Sequence, residues 1–386
     1  MPDRATVPAP SAPPHRGTLP DRGAAPRGRR PGTDYPVQLI QPDGARVLDR
    51  EHAALVADIG PDRLRELYRD MVLARRVDLE ATALQRQGQL GLWPPLLGQE
   101  AAQVGSAHAL HPDDYVFCSY REAAVALCRG VAPELLTRMW RGASHHCWDP
   151  EAVGMTNPNI IVGAQGLHAT GYAYAAQLDG AEIATIAYFG DGASSQGDIA
   201  EALGFAASWS APVVFFCQNN HWAISAPVRV QSATPLARRA YGYGMPGIQV
   251  DGNDVLAVLA VTRQAVARAR AGGGPSFIEA LTYRMGPHTT ADDPTRYRTA
   301  AELEQWARRD PIDRLRRLLE RESLWDEEFA AEVGERADAA CADLRRATLT
   351  MPDPPPSALF EHVYAEPHPL IEQQRRELAR AEGALS

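Results

Sequence analysis

Apolar residues recur along this chain with two periods, and stretches of the two kinds alternate. Between Pro61 and Gln87, Leu64, Leu67, Tyr68, Met71, Val72 and Leu79 return every three or four positions, opened by Pro61 and closed by Gly88. That spacing predicts an amphipathic helix, and at about 1.5 Å per residue it would run roughly 40 Å, enough to cross a domain. Downstream, Tyr115–Cys118, Ile183–Phe189, Val213–Cys217, Ile248–Val250 and Phe277–Tyr283 read as short strands, the longer of them apolar throughout. Ala164–Gln177, Gly197–Ser208 and Val255–Ala271 read as helices between them. A strand without a polar face must be covered on both sides, so the alternation predicts an α/β fold, a doubly wound parallel sheet with flanking helices. Beyond Ala300 the pattern is helical and heavily charged, a helical C-terminal extension.

Composition adds boundaries. The first 34 residues hold eight prolines and six arginines and almost no large apolar side chains. Such a segment buries too little to offset its ordering entropy, so residues 1–45 are expected to form a disordered arm, 46–345 the folded domain, and 346–386 a partly helical tail. The prolines and the scarcity of serine argue against a transit peptide, and no secretory signal is visible. The formal charge of −9 gives no reason to expect a nucleic-acid partner, and no apolar stretch approaches a membrane span. Five scattered cysteines without a Cys-x-x-Cys pair fit reduced thiols in a cytoplasm better than a disulfide framework or a zinc site. All 39 basic residues are arginine, which fits a GC-rich genome and has a chemical consequence. Arginine cannot form a Schiff base or serve as a Walker-A lysine, so pyridoxal-phosphate enzymes, lysine aldolases and P-loop nucleotidases are poor candidates.

The candidate chemistry lies where strands end. Gly190-Asp191-Gly192 follows one strand and Asn219-Asn220 the next, so that Asp191 and Asn220 stand 220 − 191 = 29 positions apart, room for one helix and one strand. In open α/β sheets ligands bind outside the carboxyl ends of strands. Asp191 offers the hard oxygen that magnesium prefers, the Asn220 amide can reach the same ion, and a following helix N-terminus favours a diphosphate. Taken separately, Asp191 is a helix cap and the asparagines a tight turn; together they favour a metal–diphosphate site.

These residues resemble the thiamin diphosphate fingerprint. With Tyr120-Arg121, Ile161-Val162-Gly163-Ala164-Gln165, Gln218-Asn-Asn-His-Trp-Ala-Ile-Ser225 and Tyr283-Arg-Met-Gly-Pro-His-Thr-Thr-Ala-Asp-Asp-Pro-Thr-Arg-Tyr-Arg298, the stretch 46–345 resembles the alpha subunit of the decarboxylating component of 2-oxo acid dehydrogenases. The resemblance implies the thiamin diphosphate-binding fold, specifically its diphosphate-binding domain. It implies magnesium on Asp191, Asn220 and the Trp222 carbonyl. It places the diphosphate against Tyr120, Arg121, Gly190, Gly192 and Ala193, puts Val162 beneath the bent cofactor, and makes His288 the active-site histidine. His221 is incidental, and His145 and His146, in a segment 142–160 that matches poorly, receive no role. Thr289 stands where animal relatives carry a phosphoserine, from which no phosphorylation is inferred.

The resemblance also implies that one chain is insufficient. The carboxylate that activates the cofactor's pyrimidine comes from a second α/β domain, hence from a beta subunit in an α2β2 heterotetramer. The acyl group then passes to the lipoyl domain of an acyltransferase core. The substrate is a small 2-oxo acid in the bacterial cytoplasm, with pyruvate slightly ahead of branched-chain acids. Gln218-Asn-Asn and Gly286-Pro-His-Thr resemble the pyruvate type, whereas Tyr241-Gly-Tyr-Gly-Met-Pro-Gly and Val250-Asp-Gly-Asn-Asp are shared with branched-chain forms. An acetoin dehydrogenase-type thiamin enzyme and a non-catalytic cofactor-binding subunit are the alternatives. A nicotinamide dehydrogenase would need Gly-x-Gly-x-x-Gly, and Gly190-Asp-Gly192-Ala-Ser-Ser195 lacks the third glycine.

Overall fold

The computed structural model describes residues 36–385; the expectation for residues 1–34 lies outside them. In chain order the strands are β1 Tyr115–Phe117, β2 Thr185–Gly190, β3 Val213–Asn219, β4 Trp222–Ala223, β5 Ala226–Pro227, β6 Gly247–Asp251 and β7 Ser276–Leu281. Five of them form one parallel sheet in the order β1-β2-β3-β7-β6, while β4 and β5 pair as a small antiparallel hairpin.

Successive side chains on a strand point to opposite faces, and here both faces are apolar. Ile186, Tyr188, Val214, Phe216 and Ile278 enter one core with the helices Pro61–Arg86, Glu100–Ala107 and Val255–Arg270. Their neighbours Ala187, Phe189, Phe215, Cys217 and Phe277 enter a second core with the helices Ala164–Leu178 and Gly197–Trp209. Each fully buried large side chain contributes about 1.5–3 kcal/mol, so a polar substitution on either face is costly. The register sets Gly190 opposite Gln218 and Asn219 opposite Leu281, which brings the carboxyl ends of β2, β3 and β7 level with one another.

The long first helix runs Pro61–Arg86, with Pro61 in its first turn and Gly88, at φ 76°, just beyond its end. Its buried stripe is Leu64, Leu67, Tyr68, Met71, Ala74, Val77, Asp78, Ala81 and Leu84. Leu79, assigned to that stripe from spacing, is instead 48% exposed; at 100° per residue it is turned away from Asp78 and Ala81.

Residues 36–45, expected within the disordered arm, are packed. Val37 bridges Val250 of β6, Leu39 and Ile40 are buried, and their amides donate to Asp254 Oδ2 at 2.6 and 2.5 Å. Two apolar residues and two satisfied amides repay the ordering of a segment whose composition resembles a linker. At the other end, the helix Glu327–Thr350 continues through the boundary placed at residue 345, and Pro369–Leu385 is helical. All five cysteines are free thiols, and no helix among the described residues is long and apolar enough to cross a membrane.

Asp254 joins the N-terminal segment to the sheet's helix layer. Its second oxygen caps the helix Val255–Arg270 by accepting from Leu256 and Ala257 N at 3.1 and 3.0 Å. Asp254→Ala strands four backbone donors at a buried position, and a loss of about 3 kcal/mol or more is expected in urea unfolding. Asp254→Asn, which keeps an acceptor, should lose less.

Candidate active site

A cleft of about 250 Å³ opens at the carboxyl ends of β1, β2, β3 and β7. Every cofactor- and metal-site residue expected from sequence lines it: Tyr120, Arg121, Val162, Gly190, Asp191, Gly192, Ala193, Asn220, Trp222 and His288.

Asp191 begins the 3-10 turn Asp191–Ser195 that leaves β2. Its side chain is buried and accepts from the neutral amide of Gln231 at 3.0 Å, and burial pushes its pKa up to about 6. The backbone of Asn220 reaches the same carboxylate. Asn220 Oδ1 accepts from Trp222 N at 3.3 Å, and its amide nitrogen donates to Gln99 at 3.2 Å. The adjacent Asn219 turns inward to donate to Glu279 at 2.7 Å, so only the second asparagine of the pair serves the cleft. Gly192 is needed for close packing, since a Cβ there would sit 2.7 Å from Ala223 Cβ on the hairpin. His221 and Ile224, at φ 70° and 54°, bracket the first strand of that hairpin and aim the Trp222 carbonyl. A β-branched residue in the left-handed region is strained, and here that strain sits at the cleft mouth. The Trp222 carbonyl accepts from Arg284 Nη1 at 2.7 Å, which leaves its second lone pair for an ion.

Two guanidiniums hold His288. Arg121 Nη2 lies 3.2 Å and Arg284 Nη1 3.3 Å from His288 Nδ1. Arg121 also donates to the carbonyls of Pro95 at 2.5 Å and His288 at 2.9 Å, and the His288 amide donates to Asp292 at 2.8 Å. Arginine donates and never accepts, so Nδ1 carries the lone pair and the proton resides on Nε2. Burial and then the charges of Arg121 and Arg284 push the His288 pKa down to about 3. The ring is therefore a neutral hydrogen-bond donor at physiological pH. Tyr120 meets it edge-on, with ring centroids 6.0 Å apart.

Sequence reasoning assigned no role to Arg284, Gln231, Gln99 or Gln165. Arg284 is wholly buried and also binds Ile224 O and the Tyr297 hydroxyl at 2.8 and 3.1 Å; its position inside the Tyr283–Arg298 motif was the available signal. Gln231 and Gln99 carry no local pattern, and only the fold brings them here. Gln165 donates to Tyr188 O at 2.9 Å, but its Oε1 is buried without a partner among the described residues. His221 packs against the stacked rings of Tyr283 and Trp306 outside the cleft lining, and His145 and His146 are exposed.

A buried carboxylate, an amide, an arginine and a neutral imidazole thus line one cleft at the carboxyl ends of parallel strands, where doubly wound folds bind their ligands. Residues 68–357 match the model of the dehydrogenase E1 component, and the chain belongs to that family. It is 48% identical over 348 residues to a Mycobacterium tuberculosis protein named 3-methyl-2-oxobutanoate dehydrogenase subunit alpha, covering 90% of this chain and 94% of the relative. It is 44% identical over 305 residues to a Staphylococcus aureus pyruvate dehydrogenase E1 component subunit alpha, covering 78% and 81%.

The arrangement makes a pH prediction. A histidine whose folded pKa lies below its unfolded value costs stability as pH falls from about 6.5 toward 3, because the unfolded chain takes up the proton first. The His288 ring should show no titration between pH 8 and 5 by NMR, with the proton on Nε2. In Arg121→Met its titration should move upward, toward the ordinary range.

Proposed function

We propose that the cleft binds thiamin diphosphate through a magnesium ion and that the chain acts as the alpha subunit of a 2-oxo acid dehydrogenase. The observation that carries this reading is the pair Asp191 and Asn220 meeting at adjacent strand ends with Arg121 and His288 facing the same space. Oxygen donors of this kind suit magnesium. Asp191 is a buried carboxylate bonded to a neutral amide, so a cation would relieve its desolvation. Gln165 Oε1 is a spare acceptor for an amino group. The donor set fits the cofactor.

Thiamin diphosphate, when bound, supplies the nucleophilic carbon for decarboxylation of the 2-oxo acid. The chain's own residues bind and orient it. Asp191, Asn220 and the Trp222 carbonyl would hold the ion, Gly190, Gly192, Ala193, Tyr120 and Arg121 would face the diphosphate, and the Val162 side chain would support the ring system. His288, with its proton fixed on Nε2, would donate to an oxygen of the diphosphate or of the incoming acid rather than abstract a proton.

A beta subunit would complete the site and a lipoyl domain would receive the acyl group, in the bacterial cytoplasm. The rim supports a covering partner: Ile161 is 73%, Ile160 58% and Ile224 54% exposed beside the cleft. Apolar groups gathered at the mouth of a polar cleft mark an interaction surface. The relatives' names divide between branched-chain acids and pyruvate, and the substrate stays a 2-oxo acid of either kind.

Calorimetric titration of the cofactor with magnesium tests the site. Asp191→Ala should weaken binding by about 100-fold or more, equivalent to about 2.7 kcal/mol, by removing the anionic ligand, and Asn220→Ala should weaken it less. The chain alone should fail to decarboxylate pyruvate or 3-methyl-2-oxobutanoate, and adding the beta subunit should restore turnover. Unchanged cofactor affinity in Asp191→Ala would overturn the assignment.

A further inference from the structure

Three helices of the larger core come together: Pro61–Arg86, Glu100–Ala107 and Ala123–Cys128. Asp70 lies on the first, His108 directly follows the second, and Cys128 ends the third. A carboxylate oxygen, a ring nitrogen and the thiol sulfur of these residues lie within 4.8 Å of one another. His108 Nε2 and Asp70 Oδ2 are 2.7 Å apart. The His108 side chain is only 7% exposed, and its Nδ1 is buried with no hydrogen-bond partner among the described residues. Nε2 thus faces the carboxylate and is the ring atom that can share an ion with it, while Nδ1, on the other edge of the ring, is free to hold the ring proton.

We propose that Asp70, His108 and Cys128 form a zinc-binding site that ties these three helices together, with water completing a tetrahedron. The donor set argues for zinc. Sulfur and imidazole exclude magnesium and calcium, and one carboxylate with one thiolate neutralises a divalent ion. Tetrahedral zinc sets its ligand atoms roughly 3.4–3.6 Å apart. The Asp70–His108 contact therefore opens slightly and the sulfur moves inward, which side-chain rotation accomplishes. Without metal, burial and then the nearby Asp70 and Glu66 carboxylates raise the Cys128 pKa well above the ordinary thiol range, so the sulfur is protonated. On binding, the S–H bond breaks, its proton leaves to solvent, and the sulfur's electron pair forms the bond to zinc; the His108 ring proton moves from Nε2 to Nδ1 by exchange with solvent, which frees the Nε2 lone pair for the ion. No redox change is involved. The site has a structural consequence: two turns beyond Asp70, Asp78 of the same helix accepts from Trp93 Nε1 and from Leu96 and Leu97 N at 2.8, 3.0 and 3.2 Å. The segment it anchors presents the Pro95 carbonyl to Arg121.

Cobalt is the probe. Full-length protein stripped with a chelator and titrated with Co²⁺ should bind one equivalent with a near-ultraviolet sulfur-to-cobalt charge-transfer band and tetrahedral visible bands, both displaced by zinc. An oxygen-donor magnesium site gives no such band, so the result is independent of the cleft assignment. Cys128→Ser should lose the charge-transfer band, Asp70→Asn should weaken cobalt binding at least tenfold, and Cys341→Ser should leave both unchanged. If Cys128→Ser does not fold, Asp70→Asn against Cys341→Ser decides. Absence of the band in the unmodified protein, or unchanged cobalt affinity in Asp70→Asn, would overturn the proposal.

Discussion

The interior strands β2 and β3 are buried on both faces, and this constraint shapes the rest of the molecule. The apolar side chains along β2 and β3 enter one core or the other, so polar chemistry gathers toward the carboxyl ends of the strands, where Gln218 and Asn219 close β3. Asp191 and Asn220 directly follow the last residues of β2 and β3, and Arg284 and His288 lie on the segment that leaves β7 at Leu281. One polar group inside the sheet shows the cost. Glu279 of β7 is buried and accepts from Asn219, from the Ala237 amide and from Gln249 at 2.7, 2.9 and 3.1 Å. One interior carboxylate thus consumes three donors, among them the asparagine that would otherwise have been a second amide in the cleft.

Burial acts on the two key ionisable groups in opposite directions for one reason. It disfavours charge, so it raises the Asp191 pKa and lowers that of His288. The arginines widen the contrast, because Arg121 and Arg284 repel a proton from the imidazole while their forks hold it in place. The cleft thereby presents a carboxylate suited to a cation beside a fixed neutral donor. In a chain without lysine this positioning falls entirely to guanidinium groups, whose planar forks bind two carbonyls or a carbonyl and a ring nitrogen at once.

Much of this was legible along the chain. Uninterrupted apolar runs separated by helical spacing are a local signal, and the five sheet strands and the helices between them fall within a few residues of where that spacing puts them. Asp191 and Asn220 were legible because each stands directly after such a run, and His288 and Arg121 because they lie in recognisable motifs. Leu79 was misread because one residue's rotation separates a helix stripe from solvent. Residues 36–45 were misread because their partners, Val250 and Asp254, lie more than 200 positions away.

What the sequence determined by itself is therefore the periodicity, the order of elements and the identity of groups at strand ends, since these depend on neighbours within a few positions. Tertiary structure alone decided which polar groups meet across long separations: Gln231 with Asp191, Gln99 with Asn220, Arg284 and Arg121 with one imidazole, and Asp70 with His108. It also decided the protonation of His288, because a pKa follows from burial and from charges in space. Residue type and spacing contain neither until the chain has closed upon itself.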